Sequence, residues 1–412
     1  MNAGVRNRGR QAVGESAVAG WLGPFAPLFH RLLDRIDRGL EAGAIEARLP
    51  DGRTRLLGGR AEGPVAIVEV RNWRALVRLA TGGSAGWYEA WAAGEWASPD
   101  PVPLFDLFMR NRVPLGQTGR ASALSKWGRM ALHWARRNSP TRARKNIAYH
   151  YDLGNDFYAP WLDAGMTYSS ALYADEGMGL REAQAAKLDA ALARTRAGPG
   201  DRLLEIGCGW GSFAERAAAA GVEVHGITLS QEQLEHAHER VPAATFALTD
   251  YRDVTGRYDA VASIEMVEAV GRAYWRDYLA TIARVLKPGG RAALQLIVID
   301  PAIFDAYRTN VDFIQSYVFP GGMLVCEPEF VALAAQEGLI AQDREAFGAS
   351  YAETLKAWRS RFDEAVSEGR LPTEFDQHFI ALWRYYLMYC EGGFRGGGID
   401  VVQLTLVKGE GA

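Results

Sequence analysis

The run Leu203-Leu204-Glu205-Ile206-Gly207-Cys208-Gly209-Trp210-Gly211-Ser212 joins a short apolar stretch to three alternating glycines and then to helix-forming residues. That order lets bare backbone approach a ligand, with the amides of the following helix facing it. A dinucleotide fingerprint would place its third glycine at position 212, where Ser212 stands. It also asks for an acid about 20 residues on, at the end of the next strand. Here Val222 to Ile227 runs into Thr228-Leu229-Ser230 instead. The spacing suits the sulfonium cofactor S-adenosylmethionine better than a nicotinamide or flavin nucleotide. The bland alternative is a glycine turn with no ligand.

The elements around this turn alternate. After the glycine strand and its helix come a strand at Val222 to Ile227, a helix through Gln231 to Leu234 and a strand at Ala244 to Leu248. A further strand spans Tyr258 to Ile264, and a helix from Tyr274 to Leu286 stops at Lys287-Pro288-Gly289-Gly290. Arg291 to Ile299 reads as the next strand, two helices lie near Tyr351 to Val366 and Phe375 to Tyr389, and Val401 to Val407 is the last strand. Such alternation predicts a parallel sheet with helices on both faces. Ligands then bind beyond the carboxyl ends of the strands, so Gly207, Thr228, Tyr251 and Glu268 are expected to converge.

At 412 residues the chain is long for one domain. An earlier unit, 20–115, carries a helical spacing at Phe29 to Ile36, a hairpin turned at Asp51-Gly52 and a strand at Val65 to Val70. Trp87, Trp91 and Trp96 follow in a Gly- and Ala-rich stretch and read as core. Residues 1–19 are expected to be a mobile tail, 116–146 a basic linker or helix, and 147–412 the catalytic domain. Between Asp106 and Asp152 there is no acid, whereas Arg110, Arg112, Arg120, Lys126, Arg129, Arg136, Arg137, Arg142, Arg144 and Lys145 fall there, interleaved with Trp127, Met130, Leu132 and Trp134. A segment of this kind suits an anionic lipid surface; a solvated linker is the alternative.

The net charge of -3 selects no partner, and nucleic acid is not expected. Cys208, Cys326 and Cys390 are far apart and the 7 histidines show no paired spacing, which argues against a metal site and for a reduced, cytoplasmic setting. No stretch is long and apolar enough to span a bilayer.

Several segments, in this order, resemble the cyclopropane-fatty-acyl-phospholipid synthases and mycolic acid methyltransferases. They are His150 to Tyr158, Met166-Thr167-Tyr168-Ser169-Ser170, the glycine strand, Gly226 to Ser230, Glu268-Ala269-Val270-Gly271, Phe319-Pro320-Gly321-Gly322 and Tyr351 to Leu355. The N-terminal unit is similar to the α+β cap of the longer, phospholipid-acting members. The resemblance implies an α/β, Rossmann-like class I methyltransferase domain with a mostly parallel seven-stranded sheet behind that cap. It implies cofactor contacts at Tyr168, Ser169, Gly207, Cys208, Gly209, Thr228, Leu229, Gln233, Tyr251, Arg252 and Ile264, with Gln233 supplying a neutral amide where an acid is usual.

Members of this family are thought to hold a bicarbonate base by a glutamate, a histidine, a tyrosine, a backbone amide and a cysteine. By position these become Glu268, Gln295, Tyr351, Ile297 and Ser170, so the histidine and the cysteine are both replaced. Glu265, three residues before Glu268, is the competing acid. The implied activity is one-carbon transfer to the double bond of an unsaturated phospholipid acyl chain. It would occur at the inner face of the cell membrane, by a peripherally bound enzyme that can form a homodimer. Alternatives are a methyl-branched or methylated unsaturated product, or a lipid- and cofactor-binding protein without turnover.

Overall fold

The computed structural model describes residues 22–116, 153–175 and 177–410. The N-terminal tail and most of the basic segment, with His150, Tyr151 and Asp152, lie outside the described residues. Of the basic run, Arg110 pairs with Asp106 one turn earlier at 3.0 Å, and Arg112 donates to the Met109 carbonyl. The described residues fall into two compact units.

The first unit holds a four-stranded sheet of order β2-β1-β3-β4, built from β1 (Ala44–Arg48), β2 (Thr54–Gly58), β3 (Val65–Val70) and β4 (Trp96–Ala97). The expected hairpin is present: β1 pairs antiparallel with β2 around Asp51-Gly52, where Gly52 takes φ 80°. Helix α1 (Ala26–Gly39) buries Phe29, Leu33 and Ile36, and Phe29 stacks on Trp73 at 5.0 Å. Helix α2 (Arg74–Ala92) kinks at Gly83, where φ is 59°. The kink folds Gly86 onto the Arg78 carbonyl, an approach that any β-carbon would block. Trp87 and Trp96 stack at 4.5 Å in this core, whereas Trp91 is only partly buried. Helix α3 (Val102–Arg110) follows.

The second unit is an α/β domain with a Rossmann-like, mostly parallel sheet. Its seven-stranded sheet has the order β10-β11-β9-β8-β5-β6-β7. The strands are β5 (Arg202–Ile206), β6 (Glu223–Thr228), β7 (Thr245–Leu248), β8 (Tyr258–Ile264), β9 (Leu286–Ile299), β10 (Leu339–Ala346) and β11 (Ile399–Lys408). Pairings from β7 to β9 are parallel, and β11 inserts antiparallel between β9 and β10. The central strands are covered on both faces, which accounts for their continuous apolar runs. Helix α4 (Leu180–Thr195) precedes β5, α5 (Ser212–Ala219) follows it, and α6 (Gln231–Arg240) follows β6. Helix α7 (Trp275–Val285) ends just before the Lys287 to Gly290 stop, and β9 begins at Leu286, ahead of the expected Arg291.

Strand β10 was not expected. It lies at the sheet edge, is mostly exposed and carries a bulge near Asp343, so neither alternation nor an apolar run marks it. Helices α8 (Pro301–Arg308) and α9 (Glu327–Gln336), and a π-helical turn at Ile314–Val318, precede it. Two long helices, α10 (Gly348–Ser367) and α11 (Gln377–Arg395), lead to β11. No described helix is long and apolar enough to cross a membrane.

Candidate active site

Strand β5 delivers its chain into Gly207 at φ 82°, Gly209 at φ 51° and Gly211 at φ 83°, left-handed backbone that favours glycine. The Gly207 and Cys208 amides both donate to the Ile227 carbonyl, so the turn is pinned to the end of β6. A β-carbon on Gly207 would sit 2.9 Å from Met266 Cγ. Above this turn lies a cavity lined by ten of the eleven cofactor positions expected from sequence: Tyr168, Ser169, Gly207, Cys208, Gly209, Thr228, Leu229, Gln233, Tyr251 and Ile264. The exception is Arg252, which is held by Asp250 through two contacts of 2.8 and 2.5 Å and lies 5.4 Å from the Tyr251 ring centre.

Ser230 caps α6 by accepting from the Gln233 amide at 3.3 Å, and Thr228 Oγ1 donates to Gln233 Oε1 at 2.8 Å. These contacts fix the neutral side chain that stands where an acid is usual. Burial pushes the Tyr251 phenol up to about 12. Glu205 also lines the cavity, and its buried Oε2 has no hydrogen-bond partner among the described residues. A glycine cradle, a neutral amide, a tyrosine face and an unpaired acceptor fit an adenosyl cofactor that carries an amino-acid end.

The proposed base residues fall into two groups. Glu265 follows β8 directly at φ 50°, and its carboxylate is the meeting point of three donors. Its Oε1 accepts from the Ser170 amide at 2.9 Å and from Gln295 Nε2 at 2.7 Å, and its Oε2 accepts from Tyr351 Oη at 2.8 Å. Ser170 thus contributes its backbone; its hydroxyl donates to the Ala171 carbonyl. Glu265 also lines the cofactor cavity, whereas Ser170, Gln295 and Tyr351 do not. It therefore joins the two sites.

Glu268 lies one turn further on and is not a cavity-lining residue. Its Oε1 accepts from the Ile297 amide, and its buried Oε2 has no hydrogen-bond partner among the described residues. Burial and the nearby Glu265 charge push its carboxyl up to about 8, so it is mostly neutral at pH 7. Burial also raises Glu265 above the usual carboxylate range, but Lys187 and the three hydrogen bonds oppose the rise. Both carboxyls are thus raised, but only Glu265 has a cation and three donors that favour its ionised form.

Three supporting residues escaped the sequence reading. Lys187 on α4 is fully buried and donates to Ser169 Oγ at 2.5 Å, with burial lowering its ammonium to about 8. Gln403 on β11 lies opposite Gln295; its Nε2 donates to Gln295 Oε1 at 3.1 Å, which turns the Gln295 amide nitrogen toward Glu265. Tyr386 on α11 meets Tyr168, hydroxyl to hydroxyl, at 3.0 Å. A signal existed for Lys187: Ala183, Gln184, Lys187, Leu188 and Ala191 share one buried stripe, where a lysine needs a polar reason to be. Aromatic rings pack around these groups, with Tyr168 5.3 Å from Trp358, and Tyr351 4.4 Å from Phe394. From the His150 to Tyr158 segment, Asn155 Oδ1 accepts from Trp210 Nε1 at 2.6 Å, a contact that braces the glycine turn. Among the described residues no cluster suits a metal ion.

A family model described as mycolic acid cyclopropane synthetase matches residues 138–404. Tuberculostearic acid methyltransferase UfaA1 of Mycobacterium tuberculosis is 37% identical over 356 residues, 80% of each chain. Cyclopropane-fatty-acyl-phospholipid synthase of Escherichia coli is 37% identical over 266 residues, 63% of this chain and 67% of the relative. Among solved structures, the cyclopropane synthase MmaA2 from Mycobacterium tuberculosis aligns with a TM-score of 0.60 at 31% identity, covering 64% of this chain and 98% of that one. Mycolic acid cyclopropane synthase CmaA1, complexed with SAH and CTAB, gives the same TM-score at 30% identity and the same 64% and 98% coverage.

Proposed function

The chain belongs to the mycolic acid cyclopropane synthetase family and is an S-adenosylmethionine-dependent methyltransferase, and from that premise we propose that it adds one carbon to the double bond of unsaturated acyl chains in membrane phospholipids, with Glu265 as the base. The observation that carries this reading is the position of Glu265, which lines the cofactor cavity while Ser170, Gln295 and Tyr351 hold its carboxylate.

When bound, the cofactor supplies an electrophilic methyl group on a sulfonium. The protein must then do three things. The glycine turn, Thr228 and Gln233 orient the donor at the strand ends. The rings of Tyr168, Trp358 and Tyr351 exclude water from the alkene and face the positive charge that methyl addition leaves on the second alkene carbon. Glu265 takes a proton from the new methyl group, and the electron pair of that C–H bond closes a cyclopropane. The balance is one CH2 gained by the acyl chain and one proton released.

On this reading Glu265 stands in for the bicarbonate that family members are thought to hold, because the Ser170 amide, Gln295 and Tyr351 already bond its oxygens. A second reading keeps the same base. If a hydride shifts along the chain before deprotonation, the product is a methylene branch. The relative aligned over 80% of both chains is named a methyltransferase rather than a cyclopropane synthase, which favours keeping this outcome. The setting we propose for either product is the inner face of the cell membrane, with the enzyme peripherally bound.

The test is incubation with methyl-labelled S-adenosylmethionine and vesicles of mono-unsaturated phospholipid, followed by mass spectrometry and NMR of the acyl esters. A labelled gain of one CH2 is expected, and the proton spectrum distinguishes a ring from a branch. Cofactor binding with no labelled lipid under any condition would leave only the binding-protein alternative.

A further inference from the structure

We propose that the outward face of α1 is the surface by which the N-terminal unit docks on an anionic lipid bilayer, a proposal that rests on the reading of the substrate as a membrane lipid. The inner face of α1 is committed to the core through Phe29, Leu33 and Ile36. The outer face combines two features that solvent alone does not call for. Leu28, in its first turn, is 59% exposed, and Phe25, in the 3-10 turn just before the helix, is 53% exposed. Along it, Arg31, Arg35 and Arg38 are exposed and have no hydrogen bond or ion pair among the described residues.

The spacing matters as much as the residue types. Leu28, Arg31, Arg35 and Arg38 repeat at intervals of three, four and three, which confines them to an arc of about 80° on the helix surface. No acid offsets them within that arc. The two acids of the helix are already engaged, Asp34 by Arg55 at 2.7 Å and Asp37 by Arg60 at 2.9 Å and by the Gly58 amide. A strip with three cations that have no partner among the described residues, and an apolar tip, suits lipid headgroups for the cations and the headgroup–acyl boundary for the tip. The guanidinium groups are complementary to phosphate oxygens, which they can bind with two parallel hydrogen bonds.

The experiment uses the full chain and sedimentation with vesicles, one set containing phosphatidylglycerol and the other only phosphatidylcholine. Wild type should partition onto the anionic vesicles and be released as salt rises. With each cation contributing about five-fold, joint replacement Arg31→Glu, Arg35→Glu and Arg38→Glu should weaken partition by at least about 100-fold. Joint Phe25→Ser and Leu28→Ser should weaken it on both vesicle types, and Arg→Lys at the three positions should preserve most of it. Turnover of the same phospholipid in detergent micelles should be unchanged in every variant. If the charge-reversed protein keeps its wild-type partition, the proposal is overturned. It is equally overturned if these variants instead convert a dimer to monomers, which would make the face a contact between two copies of the chain. Failure of wild type to modify lipid in micelles would strike at the proposed reaction while leaving the vesicle result readable.

Discussion

Tyr351 donates its phenolic hydrogen to Glu265 across 2.8 Å, which ties the helix α10 to the rim of the central sheet at the cofactor cavity. The bond makes Glu265 rather than Glu268 the carboxylate served by the Tyr351, Gln295 and Ser170 positions. A neutral acid with no contact to those donors is poorly placed to accept a proton from substrate. The glutamate in the left-handed conformation just after β8 is well placed.

Replacement of Glu265 by Gln should therefore abolish most turnover. Loss of a positioned base costs about 10²–10⁴-fold in kcat. Cofactor affinity, read by calorimetry, should change little. Glu268→Gln keeps an acceptor for the Ile297 amide and retains the neutral state of the native side chain, so its kcat should stay within about ten-fold of wild type. The reverse ranking of the two variants would return the base role to Glu268.

Activity should also report the protonation of Glu265. A base must be ionised, so kcat falls as pH drops through the carboxyl pKa, which burial has raised above the usual range. The Lys187 ammonium favours the ionised form. Lys187→Met removes that charge, raises the Glu265 pKa further and should move the acidic limb of the pH–rate profile to higher pH. A merely structural role for Lys187 would lower the plateau without moving the limb.

Glu268 carries a different pH signature, in stability. Its folded pKa, about 8, exceeds the unfolded value, so the folded state holds more protons between the two. Stability is thus lost as pH rises toward 8. Glu268→Gln has no proton to lose. Relative to wild type it should gain roughly 2–3 kcal/mol between about pH 5.5 and pH 8, measured by denaturant unfolding. A parallel pH dependence in the two proteins would show that this carboxyl ionises without penalty.

The glycine turn also makes a quantitative claim. Gly207→Ala would place a side chain at φ 82° and push its β-carbon to 2.9 Å from Met266 Cγ. Left-handed backbone alone costs about 1–2 kcal/mol for a non-glycine residue. Affinity for S-adenosylmethionine should fall about ten-fold or more, and a titration indistinguishable from wild type would mean that the cofactor does not depend on this turn.

What the sequence showed and what it hid follow physical lines. The β5 turn was legible because a strand buried on both faces must be apolar and because glycines are needed where φ is positive. Strand β10 was hidden because an edge strand with exposed Asp343, Arg344 and Glu345 has no apolar face to display. The resemblance assigned the base position to Glu268 and kept Glu265 as a competitor, because residues three apart beyond a strand can both reach the rim. Only the register of Gln295 in β9 and the placement of Tyr351 on α10 distinguish them. Gln403 was hidden too, because its partner Gln295 lies on a neighbouring strand more than 100 residues away.

Gln403 supplies the last prediction. It donates from one nitrogen to the Lys187 carbonyl and to Gln295 Oε1, both at 3.1 Å, and its own Oε1 accepts from Arg194 Nε at 3.0 Å. The Gln295 amide therefore presents its nitrogen to Glu265. Gln403→Leu leaves Gln295 Oε1 buried without a donor, at a cost of about 1–3 kcal/mol in stability, and should lower kcat by about ten-fold as the amide loses its orientation. Gln403→Glu should be worse for turnover. An ionised glutamate at 403 can only accept, so Gln295 must turn its nitrogen toward 403 and its oxygen toward the Glu265 carboxylate, where two acceptors would face each other. Cofactor affinity should hold in both variants, because neither Gln295 nor Gln403 lines the cofactor cavity. Equal kcat values for Gln403→Glu, Gln403→Leu and wild type would mean that the orientation of Gln295 has no bearing on the base.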